Sequence, residues 1–236
     1  MTQTTWAAPA AEIPLRATVT VSPMPGEGLH VHAPSVADAA VYLAAAAITT
    51  GTVVIRNWDE IAAGPSASAL REALASMGAY VVRSAEGLTC TSRSTTGHLR
   101  GIDIDLSAHP DLIAVILVLA LLADDRSEVR GVAEHERLVA ALLLDIRGLG
   151  GLVDWDGSTV TVFPQPLHGG SWRGAGEPTV LALGAVLALR VPGIQVEGID
   201  LDTPEGALFL ETWRRAMLAD EHILPGATRG TVPYYH

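Results

Sequence analysis

Alternating and helical spacings of apolar residues divide the chain into a recurring series. Residues 29–34 (LHVHAP) alternate like a strand, and Ser35 then opens an Ala-rich helical stretch, VADAAVYLAAAAIT. A second strand (GTVVIRNW), a second helix (ASALREALASMG) and a hairpin (YVVRSAEGLTCTS) follow. The order then repeats. GIDIDLSA reads as a strand, and HPDLIAVILVLALLA as a helix with Pro110 in its first turn, where a missing N–H costs nothing. RSEVRGVA is again a strand, and HERLVAALLLDIRGLGG a helix stopped by glycines. LVDWDGSTVTVFP is a hairpin turning at Asp156-Gly157. A third pass runs through GGSWRG, the helix EPTVLALGAVLALRV, the strand IQVEGID and the helix PEGALFLETWRRAML, with no hairpin after it.

This pattern predicts three strand-helix-strand-helix-strand-strand (βαβαββ) units over 28–96, 99–164 and 169–218, within one domain covering 1–236. An N-terminal strand in 12–22 is expected to complete the third unit, and 219–236 to form a loosely attached tail ending in Tyr234, Tyr235 and His236. The first helix of each unit starts near Ser35, His109 or Glu177 and is apolar nearly all round, which marks it as interior. The fold class is therefore α/β (α+β), a single globule of three repeats around buried helices. Hydrophobic residues make up 49% of the chain but aromatics only 5%, so Ala, Val, Leu and Ile build the core.

Charge narrows the chemistry. A net charge of −11 argues against nucleic acid, whose phosphates need a basic face. All 15 basic residues are Arg, and an Arg does not titrate near neutrality, so no mechanism can draw a titrating Lys from this chain. The lone Cys90 leaves no internal disulfide. With no signal peptide visible and the longest apolar run, 112–123, short of a membrane span, a cytoplasmic protein without membrane contact is expected.

These segments resemble the 5-enolpyruvylshikimate-3-phosphate (EPSP) synthase family, especially its actinobacterial versions. TWAAPAAEIPLRATVTV is similar to the family's opening strand. IDIDLSAHPDLIAVILVLALLA, RSEVRGVAEHERLVAALLLDIRGLGG, PLHGGSWRG, ALGAVLALRVPGIQVEGI and FLETWRRAML follow its C-terminal globule in turn. The resemblance covers roughly 6–218 and implies one half of an EPSP synthase, three repeats around parallel buried helices, with the first globule absent. It also implies lost catalytic motifs. The family's Gly-Ser-Lys-Ser motif is replaced by SPMPGEG, and its Asp-His-Arg-Met motif aligns with Glu177-Pro178-Thr179-Val180. Its Lys/His-Glu-Thr-Asp-Arg motif shrinks to Glu134-His135-Glu136-Arg137, while Asp111 sits where the family carries its proton-transfer acid.

Candidate residues cluster at the helix starts. Asp111, His135 and Glu136 are the candidate catalytic groups. Ser35, Asp38, His109, Glu134, Trp172, Arg173, Glu177 and Thr179 are the candidate substrate-binding set. Each has a plainer reading. Asp111 and His109 also suit a helix cap, and 134–137 a charged first turn with an intrahelical ion pair. Arg173 is the anchor for a ligand carboxylate, or else a solvated side chain. His30 and His32 point the same way from one strand, but a third metal ligand is not evident, and no metal or cofactor is expected.

Asp38, Asp111 and Glu177 put carboxylates at helix N-termini that would otherwise attract anions. The leading reading is therefore a repurposed enzyme that is not an active enolpyruvyl transferase. It would bind a small, weakly charged, fairly apolar metabolite, perform acid/base isomerisation, elimination or cyclisation, and belong to secondary metabolism. A second reading is a catalytically silent scaffold acting through the exposed former cleft face, including as a homodimer. A third is half of a split enolpyruvyl transferase.

Overall fold

The structure, a computed structural model, describes residues 5–7, 29–49, 51–93 and 97–197. Each unit opens with a parallel strand pair joined through a buried helix. In the first, β2 (Leu29–Val31) lies parallel to β3 (Thr52–Ile55). The hairpin β4 (Ala79–Ser84) and β5 (Gly87–Ser92) adds antiparallel strands in the order β2-β3-β5-β4. The second unit repeats this with β6 (Asp103–Asp105), β7 (Ser127–Arg130), β8 (Leu152–Trp155) and β9 (Thr159–Phe163), in the order β6-β7-β9-β8. In the third, β10 (Gly170–Trp172) runs parallel to β11 (Ile194–Glu197).

The N-terminal strand β1 (Thr5–Ala7) pairs antiparallel with β11, Trp6 opposite Val196. It thus takes the sheet position that β5 and β9 hold in the other units. The strand expected within 12–22, the helix expected at 204–218 and the tail 219–236 lie outside the described residues.

The connecting helices α1 (Val36–Ile48), α4 (Ile113–Leu121) and α6 (Pro178–Ala188) pack against one another. Every residue of α4 is buried, as is nearly all of the other two beyond the first turn. Each α-helix satisfies its own backbone hydrogen bonds, so an all-apolar one can lie fully inside the globule. They run in the same direction. Thr179 and Asp38 bond at their beginnings, and Arg190 reaches Ile48 at their ends. Gly184 lets α6 sit close to its sheet, because a Cβ there would lie 2.4 Å from Trp172 Cδ1 and 2.8 Å from Val196 Cγ2.

The remaining helices are amphipathic. On α3 (Pro65–Ser76), Ala67, Leu70, Ala73 and Leu74 face inward; on α5 (Glu136–Gly148), Val139, Leu142, Leu143 and Ile146 do. A short turn, α2 (Trp58–Ile61), went unread in the sequence because its one apolar anchor, Trp58, carries no periodicity. The helix expected from His109 onward begins with a 3-10 turn, Pro110–Leu112, before becoming α4.

Candidate functional site

Parallel strand pairs decide where the chemistry collects. The C-terminal ends of β2, β6 and β10 lead into α1, the turn before α4 and the turn before α6, so the three buried helices begin at one end. The strands beside them finish at the same end and deliver Asn57, the 132–135 segment and Glu197. Asn57 fixes the start of α1, accepting from the Ala33 N–H at 2.9 Å and donating to the Ala33 carbonyl at 2.7 Å. Gly131 has φ 79°, and a Cβ there would lie 2.3 Å from the Ser107 nitrogen, so the loops after β6 and β7 touch.

At this end Asp38 and Asp111 are bound by the protein's own hydroxyls. Ser35 caps α1: its Oγ accepts from the Asp38 N–H at 3.1 Å and donates to Asp38 Oδ2 at 2.6 Å. Thr179, in the first turn of α6, donates to Asp38 Oδ1 at 3.0 Å and so ties α6 to α1. The exposed Asp111 accepts from Ser66 Oγ at 2.7 Å, and that oxygen lies 3.4 Å from His109 Nδ1. Glu177 is the N-cap of α6 and is exposed, with no side-chain capping bond.

The third corner differs from expectation. Trp172 is 0% exposed, and its indole N–H donates to the Val180 carbonyl at 2.9 Å. This corrects its place among the substrate-binding residues: strand alternation turns the ring into the core. Arg173 is exposed, its Nε donating to Glu197 Oε2 at 3.2 Å. Glu197 also accepts from Ser171 Oγ at 2.6 Å; the Ser171 and Arg173 hydrogen bonds hold its carboxyl below the usual glutamate range. Asp105 is held low in the same way, first by its bonds from Ser107. Beneath the turn, the nearly buried Asp145 accepts from the Arg173 and Gly174 N–H groups, each at 2.9 Å. That turn contains Ala175 at φ 55°.

Glu134, His135 and Glu136 form the 3-10 turn and first residue of α5 at this same end. Among the described residues, no hydrogen bond or ion pair joins their side chains to Asp111 or Asp38. The sequence therefore located two linked groups, Asp38 with Ser35 and Thr179, and Asp111 with His109, beside an unlinked third, 134–136. It missed Ser66, Asp145 and Glu197. Gly64-Pro65-Ser66 is a helix-start signal that places Ser66 in a first turn, and Asp145 stands out as an acid in the buried phase of α5. Nothing in the sequence marks Glu197, because pairing between β10 and β11 brings it to Ser171 and Arg173.

At the opposite end, a groove of about 400 Å³ lies between the last residues of α4 and α6, lined by Leu121, Asp124, Pro164, Pro166, Arg190 and Val191 among others. Arg190 donates to the Ile48 carbonyl at 2.9 Å, and Asp124 pairs with His98. His30 and His32 are both exposed. Among the described residues, no cluster of three or more His, Cys, Asp or Glu side chains is placed to hold a metal ion. No helix among them is long and apolar enough to cross a membrane.

The family model for EPSP synthase (3-phosphoshikimate 1-carboxyvinyltransferase) matches residues 14–200. The chain belongs to the EPSP synthase family. A 3-phosphoshikimate 1-carboxyvinyltransferase of Kocuria rhizophila is 36% identical over 171 residues, covering 70% of this chain and 37% of that protein. Two structures of EPSP synthase from Acinetobacter baumannii superpose with TM-scores of 0.61 and 0.59 at 20% identity, each over 78% of this chain and 46% of theirs. The fold is thus that of an EPSP synthase half, and the chain spans well under two thirds of the relatives it matches.

Proposed function

We propose that this EPSP-synthase-family domain binds a small, uncharged, hydroxyl-rich metabolite where its three buried helices begin and moves a proton on it through Asp111. Phosphate-dependent enolpyruvyl transfer is not its reaction in this reading. One observation carries it: the helix N-termini that would hold an anion are occupied by the protein's own acids. Asp38 is held by Ser35 and Thr179, Asp111 by Ser66, and Glu177 stands exposed at the N-cap position of α6. A carboxylate there is stabilised by the helix dipole, by roughly 0.3–1 kcal/mol, and repels a phosphate. Arg173, a cation of the third corner, is already bonded to Glu197.

The ligand class departs from the fairly apolar one expected from sequence. The groups brought together are hydroxyls, carboxylates and an imidazole, while Trp172 is withdrawn into the core. Such groups match the donors and acceptors of a polyol. An exposed carboxylate beside a hydroxyl suits proton abstraction next to a carbonyl, the first step of an isomerisation or elimination. Ordinary carboxyvinyl transfer is the competing reading, favoured by the names of the relatives.

A nuclear magnetic resonance titration of the labelled chain separates the two. Myo-inositol should shift the amides of Ser35, Ser66, Asp111 and Thr179, while 3-phosphoshikimate with phosphoenolpyruvate at the same concentration leaves them in place. The reverse result sinks the proposal. With a cyclic polyol ketone in deuterated water, Asp111→Asn should slow deuterium uptake beside the carbonyl by about 10²-fold or more. An unchanged rate removes Asp111 from the mechanism.

A further inference from the structure

We infer that Ser66 is a positioning residue that holds His109 in its Nδ1–H form, making His109 Nε2 a second proton-accepting atom of this site beside Asp111. The inference rests on the proposed reading for its function, but the proton count behind it does not. Ser66 has one hydroxyl proton, and it points to Asp111 Oδ1 at 2.7 Å. An ionised carboxylate only accepts, so that proton cannot also serve the imidazole. His109 Nδ1, 3.4 Å from the same oxygen, then faces a lone pair, and a hydrogen bond forms there only if Nδ1 supplies the hydrogen. A neutral imidazole with its proton on Nδ1 has its free lone pair on Nε2.

Nε2 is open to use. Among the described residues no hydrogen bond involves it, and it is not one of the sealed polar atoms lacking a partner, which are Arg71 Nε and Trp155 Nε1. The main chain at His109 is fixed on both sides: its N–H donates to the Leu106 carbonyl at 2.8 Å, and its own carbonyl accepts from the Leu112 N–H at 3.0 Å. The three residues come from two units, Ser66 from the first turn of α3 and the others from the 3-10 turn before α4.

The resulting chain runs from Asp111 through Ser66 to His109. When Nε2 takes a proton from a substrate C–H or O–H, the bonding pair stays on the substrate and the ring becomes imidazolium. Its Nδ1–H still faces the Ser66 oxygen, whose proton faces the Asp111 carboxylate, so the new positive charge is met by a polarised hydroxyl and a fixed negative charge. Asp111 then acts through Ser66 as well as directly, and the ordinary preference of a free imidazole for the Nε2–H form is reversed.

The test reads tautomers in the full chain without ligand, from long-range proton–nitrogen spectra of the ¹⁵N-labelled histidines just above neutral pH. The expected result is a protonated, pyrrole-type Nδ1 and a pyridine-type Nε2 for His109. Ser66→Ala should shift the pair toward Nε2–H, and Ser66→Thr, which keeps the hydroxyl, should restore the wild-type pattern. An Nε2–H ring in the wild type, or no change in Ser66→Ala, overturns the inference. If the tautomer is as expected but no polyol moves the amides of the site, the proposed ligand falls and the role of Ser66 stands. If a polyol binds while His109 is Nε2–H, the inference falls alone.

Discussion

The two ends of the three buried helices hold the same kind of backbone in opposite ways. Where the helices begin, Asp38, Asp111 and Glu177 stand in or just before the first turns, near the positive dipole ends, and hydroxyls bond the first two acids. Where they end, among the described residues, Arg190, just past α6, reaches the last carbonyl of α1 beside an open groove. Parallel helices concentrate like dipole ends, so each end needs charge of the opposite sign. A relative that binds an anionic ligand can leave the first requirement to the ligand. In this chain Asp38, Asp111 and Glu177 stand at the beginnings and Arg190 at the opposite end.

The largest effect should come from loosening the middle that both ends share. Leu117, wholly buried in α4, replaced by Ala should cost about 2–5 kcal/mol in chemical denaturation. Cys90 reports the same event. Burial pushes its thiol up to about 12, so a thiol reagent should be nearly silent on the native protein and react at a rate that Leu117→Ala accelerates. If that variant melts only one end, seen as amide exchange confined to it, the two ends are not coupled through the core. Next comes the C-terminal end. Arg190→Met should cost about 1–2 kcal/mol, because the Ile48 carbonyl loses its charged donor.

Ser35→Ala at the N-terminal end should cost about 1 kcal/mol, as for other N-caps. A loss well above that of Arg190→Met would reverse the ranking of the ends. The smallest effect concerns acid. Glu197 and Asp105 have depressed folded-state values, so the unfolded chain binds more protons below the ordinary carboxylate range. Their contribution is complete above pH about 4.3 and lost as pH falls through the folded values. Melting temperature should therefore fall less between pH 5 and 3 in Glu197→Gln than in the wild type. Parallel curves would show that the Ser171 and Arg173 bonds contribute nothing to folding.

Most of the fold was legible along the chain because its signals are local. Ser35, His109 and Glu177 each stand at the helix start expected of them, and the Asp156-Gly157 turn closes the hairpin of the second unit. All-round apolarity of 113–121 placed α4 inside, since such a helix avoids water and nine residues are too few to span a bilayer. Asp38 and Thr179 are 141 positions apart, and Ser66 and Asp111 are 45 apart, so neither bond has any trace in local pattern. The segment GGSWRG, which opens the third pass, did not say which face of β10 was covered. The sequence by itself determined the repeat, the buried helices and the acids at their first turns, because periodicity and capping act within a few residues. Only the tertiary structure decided which hydroxyl each acid would meet, that Trp172 belongs to the core, and that Ser66 stands between Asp111 and His109. Those contacts depend on three units closing around one another, and a chain read residue by residue carries no measure of that closure.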